Sequence, residues 1–192
     1  MKLLNIHFCR TKIWVISFVL IFQACNIDKD KKFDPESIDF TTTESSEIFF
    51  KNVRQSDYDK VEMKDAGMDL FRMSDRNEKA DYPLIHLAIA FNWRLDKAHL
   101  MVEPNEFVVP TDSIRITARN AQTNEETKIL YTMGNLIEQA AFAAAIYNAI
   151  QDGQSLILHN AEGEVPIFDK ASDREVFRKT VLDYYRLIDI VH

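Results

Sequence analysis

The sequence predicts an α+β domain: a mainly antiparallel sheet of hairpins with two helices, about 135–151 and 172–191, packed on one face. Three observations carry that expectation. Residues 84–94 and 98–102 alternate apolar with polar or small side chains at a period of two. Residues 135–151 and 173–191 place their apolar side chains at helical spacing or bury them nearly all round. Capping residues and turn residues fall where those segments should begin and end.

In chain order, Ile48 to Arg54 reads as a short aromatic-rich strand and Met68 to Met73 as a second. Leu84 to Arg94 is the clearest strand, with Ile85, Leu87, Ile89, Phe91 and Trp93 on one apolar face. Ala98 to Val102 follows, and a turn around Leu95-Asp96-Lys97 makes the two a hairpin. With Arg94 opposite Lys97, Phe91 meets Leu100 and Ile89 meets Val102. A slip by one residue would turn the apolar faces apart, so register is fixed only in steps of two.

Pro104 and Pro110 bracket a loop. Ile114 to Arg119 and Thr127 to Tyr131 form a second hairpin. Asn135 to Gln151 is a helix, capped by Asn135, with Glu138 reaching back and Gly153 ending it. Ser155 to His159 and Val165 to Phe168 make a third hairpin through Glu162-Gly163. The last helix runs from about Asp173 to Val191, with Ser172 and Glu175 as a capping box. Phe177, Val181, Tyr184, Ile188 and Val191 form its apolar stripe, with Tyr185 at the flank. Asp173, Arg174, Arg178, Lys179, Asp183 and Arg186 take its other sides.

Composition excludes several functions. The four glycines, Gly67, Gly134, Gly153 and Gly163, lie too far apart to write a phosphate-binding loop. A formal charge of −7 argues against nucleic acid, which needs clustered Lys and Arg. Two cysteines build neither a metal cluster nor a disulfide framework. No G-x-S-x-G, S-x-x-K, H-E-x-x-H or C-x-x-C occurs. His86 and His99 fall on one hairpin but too far apart for shared ligation, and His159 and His192 have no metal-ligand spacing. The acidic pairs Asp57-Tyr58-Asp59 and Glu125-Glu126 read as solvated loops. Phe49, Phe50, Tyr58, Phe71, Tyr82, Phe91, Trp93 and Phe107 crowd the first half. Most should fill a core, and any left exposed would mark a binding face.

The N-terminus is an address. Lys2, Arg10 and Lys12 precede an apolar run, residues 13–22, followed by Gln23, Ala24 and Cys25. A basic segment, a short apolar segment and a small residue describe a secretory signal. The run is about half the roughly 20 residues a membrane-spanning helix needs. The segment Phe22-Gln23-Ala24-Cys25 resembles the lipobox of bacterial prolipoproteins. Ala24 and Cys25 fit it; Phe22 and Gln23 stand where Leu and a small residue are usual, as the looser lipoboxes of Bacteroidota-type lipoproteins allow. The resemblance covers residues 1–25 only. It implies that residues 1–24 are removed and that Cys25 is acylated and becomes the first mature residue. Asn26, in place of Asp, favours the outer over the inner membrane. Cys9 would be lost with the leader, leaving no disulfide.

Residues 25–45 then read as the lipidated cysteine and a polar tether, and residues 46–192 as one domain. Loss of Lys2, Arg10 and Lys12 leaves 20 bases against 30 acids, a formal charge of −10. The expectation is a cell-envelope lipoprotein whose domain is a non-enzymatic binding or scaffolding module. Its partners would be the membrane, through the anchor, and an envelope protein, with no nucleic acid, cofactor or metal. The only site residue is Cys25. The alternative is an envelope hydrolase whose active site is dispersed along the chain.

Overall fold

The structure, a computed structural model, describes residues 31–34, 38–108, 113–161 and 163–190, and the packed body begins at Lys32. It is α+β. Two four-stranded antiparallel sheets replace the single expected one. Strands β1 (Tyr58–Met63), β2 (Met68–Met73), β3 (Ile85–Asn92) and β4 (Lys97–Pro104) form the first, in the order β1-β2-β3-β4. Strands β5 (Ile114–Arg119), β6 (Glu126–Tyr131), β7 (Ser155–Asn160) and β8 (Gly163–Ile167) form the second, in the order β6-β5-β7-β8. Helix α1 is Glu44–Phe49, α2 is Leu136–Gln151 and α3 is Ala171–Leu187.

The sheets stay separate because the open edge of β4 is already occupied. Gln139 of α2 accepts a hydrogen bond from the Val102 N–H at 3.0 Å. At the other end of β4, Ala98 N–H donates to Phe40 C=O, Thr42 N–H donates to Asp96 C=O, and Thr41 bridges Lys97. An edge so covered cannot accept another strand. Helix α2 packs on β4, β6 and β7, while α3 packs on β2, β3 and β4 and touches α2.

The hairpin β3–β4 forms with its register moved by two residues. Phe91 faces Ala98, Ile89 faces Leu100 and Leu87 faces Val102. The apolar faces still match, as the period of two requires. Asn92 sets the shift: its Oδ1 accepts from the N–H of Arg94 and of Leu95, starting the turn two residues early. Trp93 therefore leaves the apolar face and is 45% exposed.

Residues 48–54 are helical, not a strand. Thr43 and Ser46 exchange side-chain and backbone hydrogen bonds in a capping box that starts α1, and a π-helical turn, Phe50–Arg54, follows. Only Phe50 of the aromatic run is buried, against Tyr58 and Phe71.

Helix α2 starts as expected at Asn135, whose side chain accepts from the N–H of Ile137 and Glu138. Glu138 does not reach back, because its carboxylate accepts from the Thr132 hydroxyl instead. Gly153 ends the helix at φ 66°, in the left-handed region.

Helix α3 lacks the expected capping box. Lys170 is the capping residue, so Ser172 lies inside the first turn. It also stops at Leu187, because Asp189 turns left-handed (φ 59°) while the Ile190 N–H returns to Tyr185 C=O. The stripe Phe177, Val181, Tyr184 and Ile188 is buried as expected, and Val191 lies outside the described residues. Two residues expected on the outer sides, and one expected at the flank, are enclosed. Asp173 and Asp183 are buried, and Tyr185 is fully enclosed. A second stripe, Asp173, Val176, Thr180, Asp183 and Leu187, also faces protein.

The packed body also takes in residues expected to be tether. Phe33 is 6% exposed and stacks on Tyr185, with ring centroids 3.7 Å apart and planes 3° from parallel. Thr42 is buried as well. The isolated apolar residues of the polar stretch, Phe33 and Phe40, have places in the core that composition alone hid.

Candidate functional site

The outer face of the second sheet carries the one described hydroxyl–imidazole–carboxylate row. In the central strand β5, Ile114, Ile116 and Ala118 point into the core, so Arg115, Thr117 and Arg119 point outward. The register sets His159 of β7 beside Arg115, one step diagonal to Thr117. Thr117 Oγ1 lies 2.7 Å from His159 Nε2. On the other side of the ring, His159 Nδ1 lies 3.6 Å from Glu164 Oε1 of β8. Lys128 and Leu130 wall a shallow depression beside them.

That order of groups activates a hydroxyl when oxyanion donors stand nearby. Here β5 is hydrogen-bonded on both sides, so its N–H groups serve the ladders. Thr117 is also only 6% exposed. The row orients His159, with Arg115 and Lys128 lining the same depression, but the β5 backbone offers it no free N–H and Thr117 is nearly enclosed.

The other expected histidines stay apart. His86 faces Glu103, whose carboxylate is held by Arg72 through three hydrogen bonds of 2.6, 2.8 and 3.1 Å. His99 faces Ala90, and its ring lies 4.9 Å from that of Phe40. Burial pushes both imidazoles below their ordinary pKa, so they are neutral at neutral pH. Among the described residues no group of three or more His, Cys, Asp or Glu is placed to hold a metal. His192 lies outside the described residues, as does Cys25.

The acidic pairs are not paired carboxylates. Asp57 bonds Arg54 and Asp59 bonds Arg76, while Tyr58 between them opens β1. Glu126 bonds Arg119, and Glu125 accepts from Thr123.

The buried acids of α3 were hidden by their charge. Arg54 Nε donates to both carboxylate oxygens of Asp183, at 2.9 and 3.0 Å, and the Tyr58 hydroxyl donates at 2.8 Å. Burial, with that carboxylate alongside, pushes the Tyr58 phenol well above its ordinary pKa. Asp173 accepts from the Tyr82 hydroxyl at 2.8 Å. The 3–4–3–4 spacing of 173, 176, 180, 183 and 187 was the available signal. Both acids are fully engaged and tie α3 to the first sheet and the loops around it.

Of the aromatic surplus, Phe50, Tyr58, Phe71 and Phe91 are core, whereas Phe49, Trp93 and Phe107 remain exposed. Trp93 has a chemical setting of its own. The Arg94 guanidinium carbon lies 5.1 Å from the centre of the indole, and Lys51 Nζ lies 5.6 Å from the Phe91 ring. Lys60 and Lys64 line the same open cleft.

The comparisons place the chain beside no known protein: no family model, no curated protein and no solved structure matches it. Among the described residues, no helix is long and apolar enough to cross a membrane.

Proposed function

We propose that this chain is a lipid-anchored protein of the cell envelope, held preferentially at the outer membrane, whose α+β body is a non-enzymatic binding or scaffolding module. The observation that carries the proposal is the sequence Phe22-Gln23-Ala24-Cys25 after a basic segment and a short apolar run. Two acyl chains on Cys25 suffice for stable anchoring, since each buried CH₂ contributes about 0.8 kcal/mol. Residues 26–31 then join the anchor to Lys32, the first residue of the packed body.

The hydrolase reading draws on the row Thr117, His159 and Glu164. The burial of Thr117, only 6% exposed, weighs against it. Metabolic labelling with a palmitate analogue tests the anchoring. The expected result is label on the wild-type chain, and its loss with release from the membrane fraction in Cys25→Ala. A wild-type chain without label overturns it.

A further inference from the structure

We propose that the cleft between the β1–β2 connection and the β3–β4 turn binds an anionic sugar polymer, one bearing carboxylate or phosphate groups, with Trp93 as the stacking platform. The proposal rests on the reading of the body as a binding module and not on the lipid anchor.

The first argument is charge. The chain carries −7 overall, yet the charged groups lining this cleft are Lys51, Lys60, Lys64 and Arg94 against Glu62 and Asp69. Lys60 is held by both acids, each at 3.0 Å. Lys60 offsets one of the two acids, so the lining keeps a formal excess of two positive charges carried by Lys51, Lys64 and Arg94. Lys64 is 83% exposed at its side chain, and its 3.5 Å contact with Glu62 is a weak surface pair. Lys51 meets Glu47 only at 3.4 Å.

The second argument is the built position of Arg94. Its guanidinium lies on Trp93 and donates to the Lys64 carbonyl at 3.3 Å, joining the two loop tips. Gly67 makes this approach feasible: a Cβ there would collide with Arg94 Cδ, Nε and Cγ. Gly67 also sits at φ 64°, which favours glycine. The cation is thus fixed over one face of the indole, and Trp93 remains 45% exposed.

The third argument is the match of ligand to surface. A pyranose ring offers a face of C–H groups to an aromatic plane, and its acidic substituents lie at the ring edge. A platform rimmed by cations matches that pattern. A neutral sugar would leave the cations unused, and a purely apolar ligand would desolvate them.

Isothermal titration of the full chain, purified in detergent, tests this with polygalacturonate, a phosphorylated mannan and neutral dextran. Binding to either charged polymer and not to dextran is expected, and the polymer bound identifies the acidic group. Trp93→Ala should lower affinity about tenfold. The double variant Lys51→Ala, Lys64→Ala should lower it and flatten its salt dependence. All three positions lie at the surface or the cleft rim, and circular dichroism checks that the variants keep the fold. Absence of binding to both charged polymers at low salt overturns the proposal. So does equal binding of dextran, or variants that bind as wild type does. Association with phosphatidylglycerol micelles but with neither polymer overturns it in favour of a lipid surface. Labelling at Cys25 can fail while polymer binding succeeds, and the reverse, so the two readings fail separately.

Discussion

Asn148 of α2 holds the main chain of Phe33 with both ends of its carboxamide. The Phe33 N–H donates to Asn148 Oδ1 at 3.2 Å, and Asn148 Nδ2 donates to Phe33 C=O at 3.1 Å. One side chain thus satisfies both polar groups of a residue with no strand partner, while the Phe33 ring is buried against Tyr185 and Tyr147.

Removing that ring should be costly. Phe33→Ala is expected to lower unfolding stability by about 3 kcal/mol, the low end for a buried Phe, because the site lies near the chain's entry to the body. Asn148→Ala should cost about 1–2 kcal/mol through the lost pair of hydrogen bonds. Urea unfolding measures both. Limited proteolysis should cut near Phe33 in the variants before any other site.

The contact of Arg54 with Asp183 predicts a comparable effect. Asp183→Ala leaves Arg54 with only its surface pair to Asp57 and the Tyr58 hydroxyl without its carboxylate acceptor, and is expected to cost about 3 kcal/mol. Tyr58→Phe removes one hydrogen bond to the same carboxylate and should cost about 1 kcal/mol. Thermal unfolding of the two variants separates these magnitudes.

Stability should fall steeply on the alkaline side. Burial pushes the phenols of Tyr58, Tyr184 and Tyr185 above their ordinary pKa. The unfolded chain ionises tyrosine near pH ~10, where the folded chain still holds the proton. The stabilisation is therefore complete below about pH 10 and lost as pH rises beyond it. Three such groups set a slope approaching about 4 kcal/mol per pH unit. Denaturant unfolding between pH 8 and 11, followed with tyrosinate absorbance, checks that ionisation and unfolding coincide.

The acid side depends on His86 and His99, whose pKa values are lowered in the fold. Their contribution is present above about pH 6.5 and is lost as pH falls. His99 Nδ1 is also buried with no hydrogen-bond partner among the described residues. His99→Leu should raise stability at neutral pH by about 1 kcal/mol and flatten the acid limb. Unfolding curves at pH 5 and 7 read both effects.

How far the sequence reaches is visible in particular elements. The hairpins β3–β4, β5–β6 and β7–β8 and both long helices follow from alternation, helical spacing and caps, because their side chains repeat with the backbone period. The β3–β4 register is undetermined by that period, and Asn92 decides it through two hydrogen bonds to the turn. Residues 48–54 look like a strand because Ile48, Phe49 and Phe50 favour one, yet the cap at Thr43 prevails. Strand β1 escapes notice because only Tyr58 of its six residues is buried. Asp183 is invisible as a core residue until Arg54 and Tyr58, far away in sequence, are seen to meet it. The exposure of Trp93 follows from the same early turn that Asn92 begins.

The docking of Phe33 also has a mechanical meaning. Tension entering the body at Lys32 loads its ion pair with Asp152 and then the hold of Asn148 on Phe33. The next holds are Thr42 on Asp96 and Ser46, whose hydroxyl donates to Leu187 C=O at 2.6 Å. Contacts loaded one after another yield at lower force than contacts loaded together. The holds at Phe33, Thr42 and Ser46 lie in series along the chain, each engaging a different part of the body.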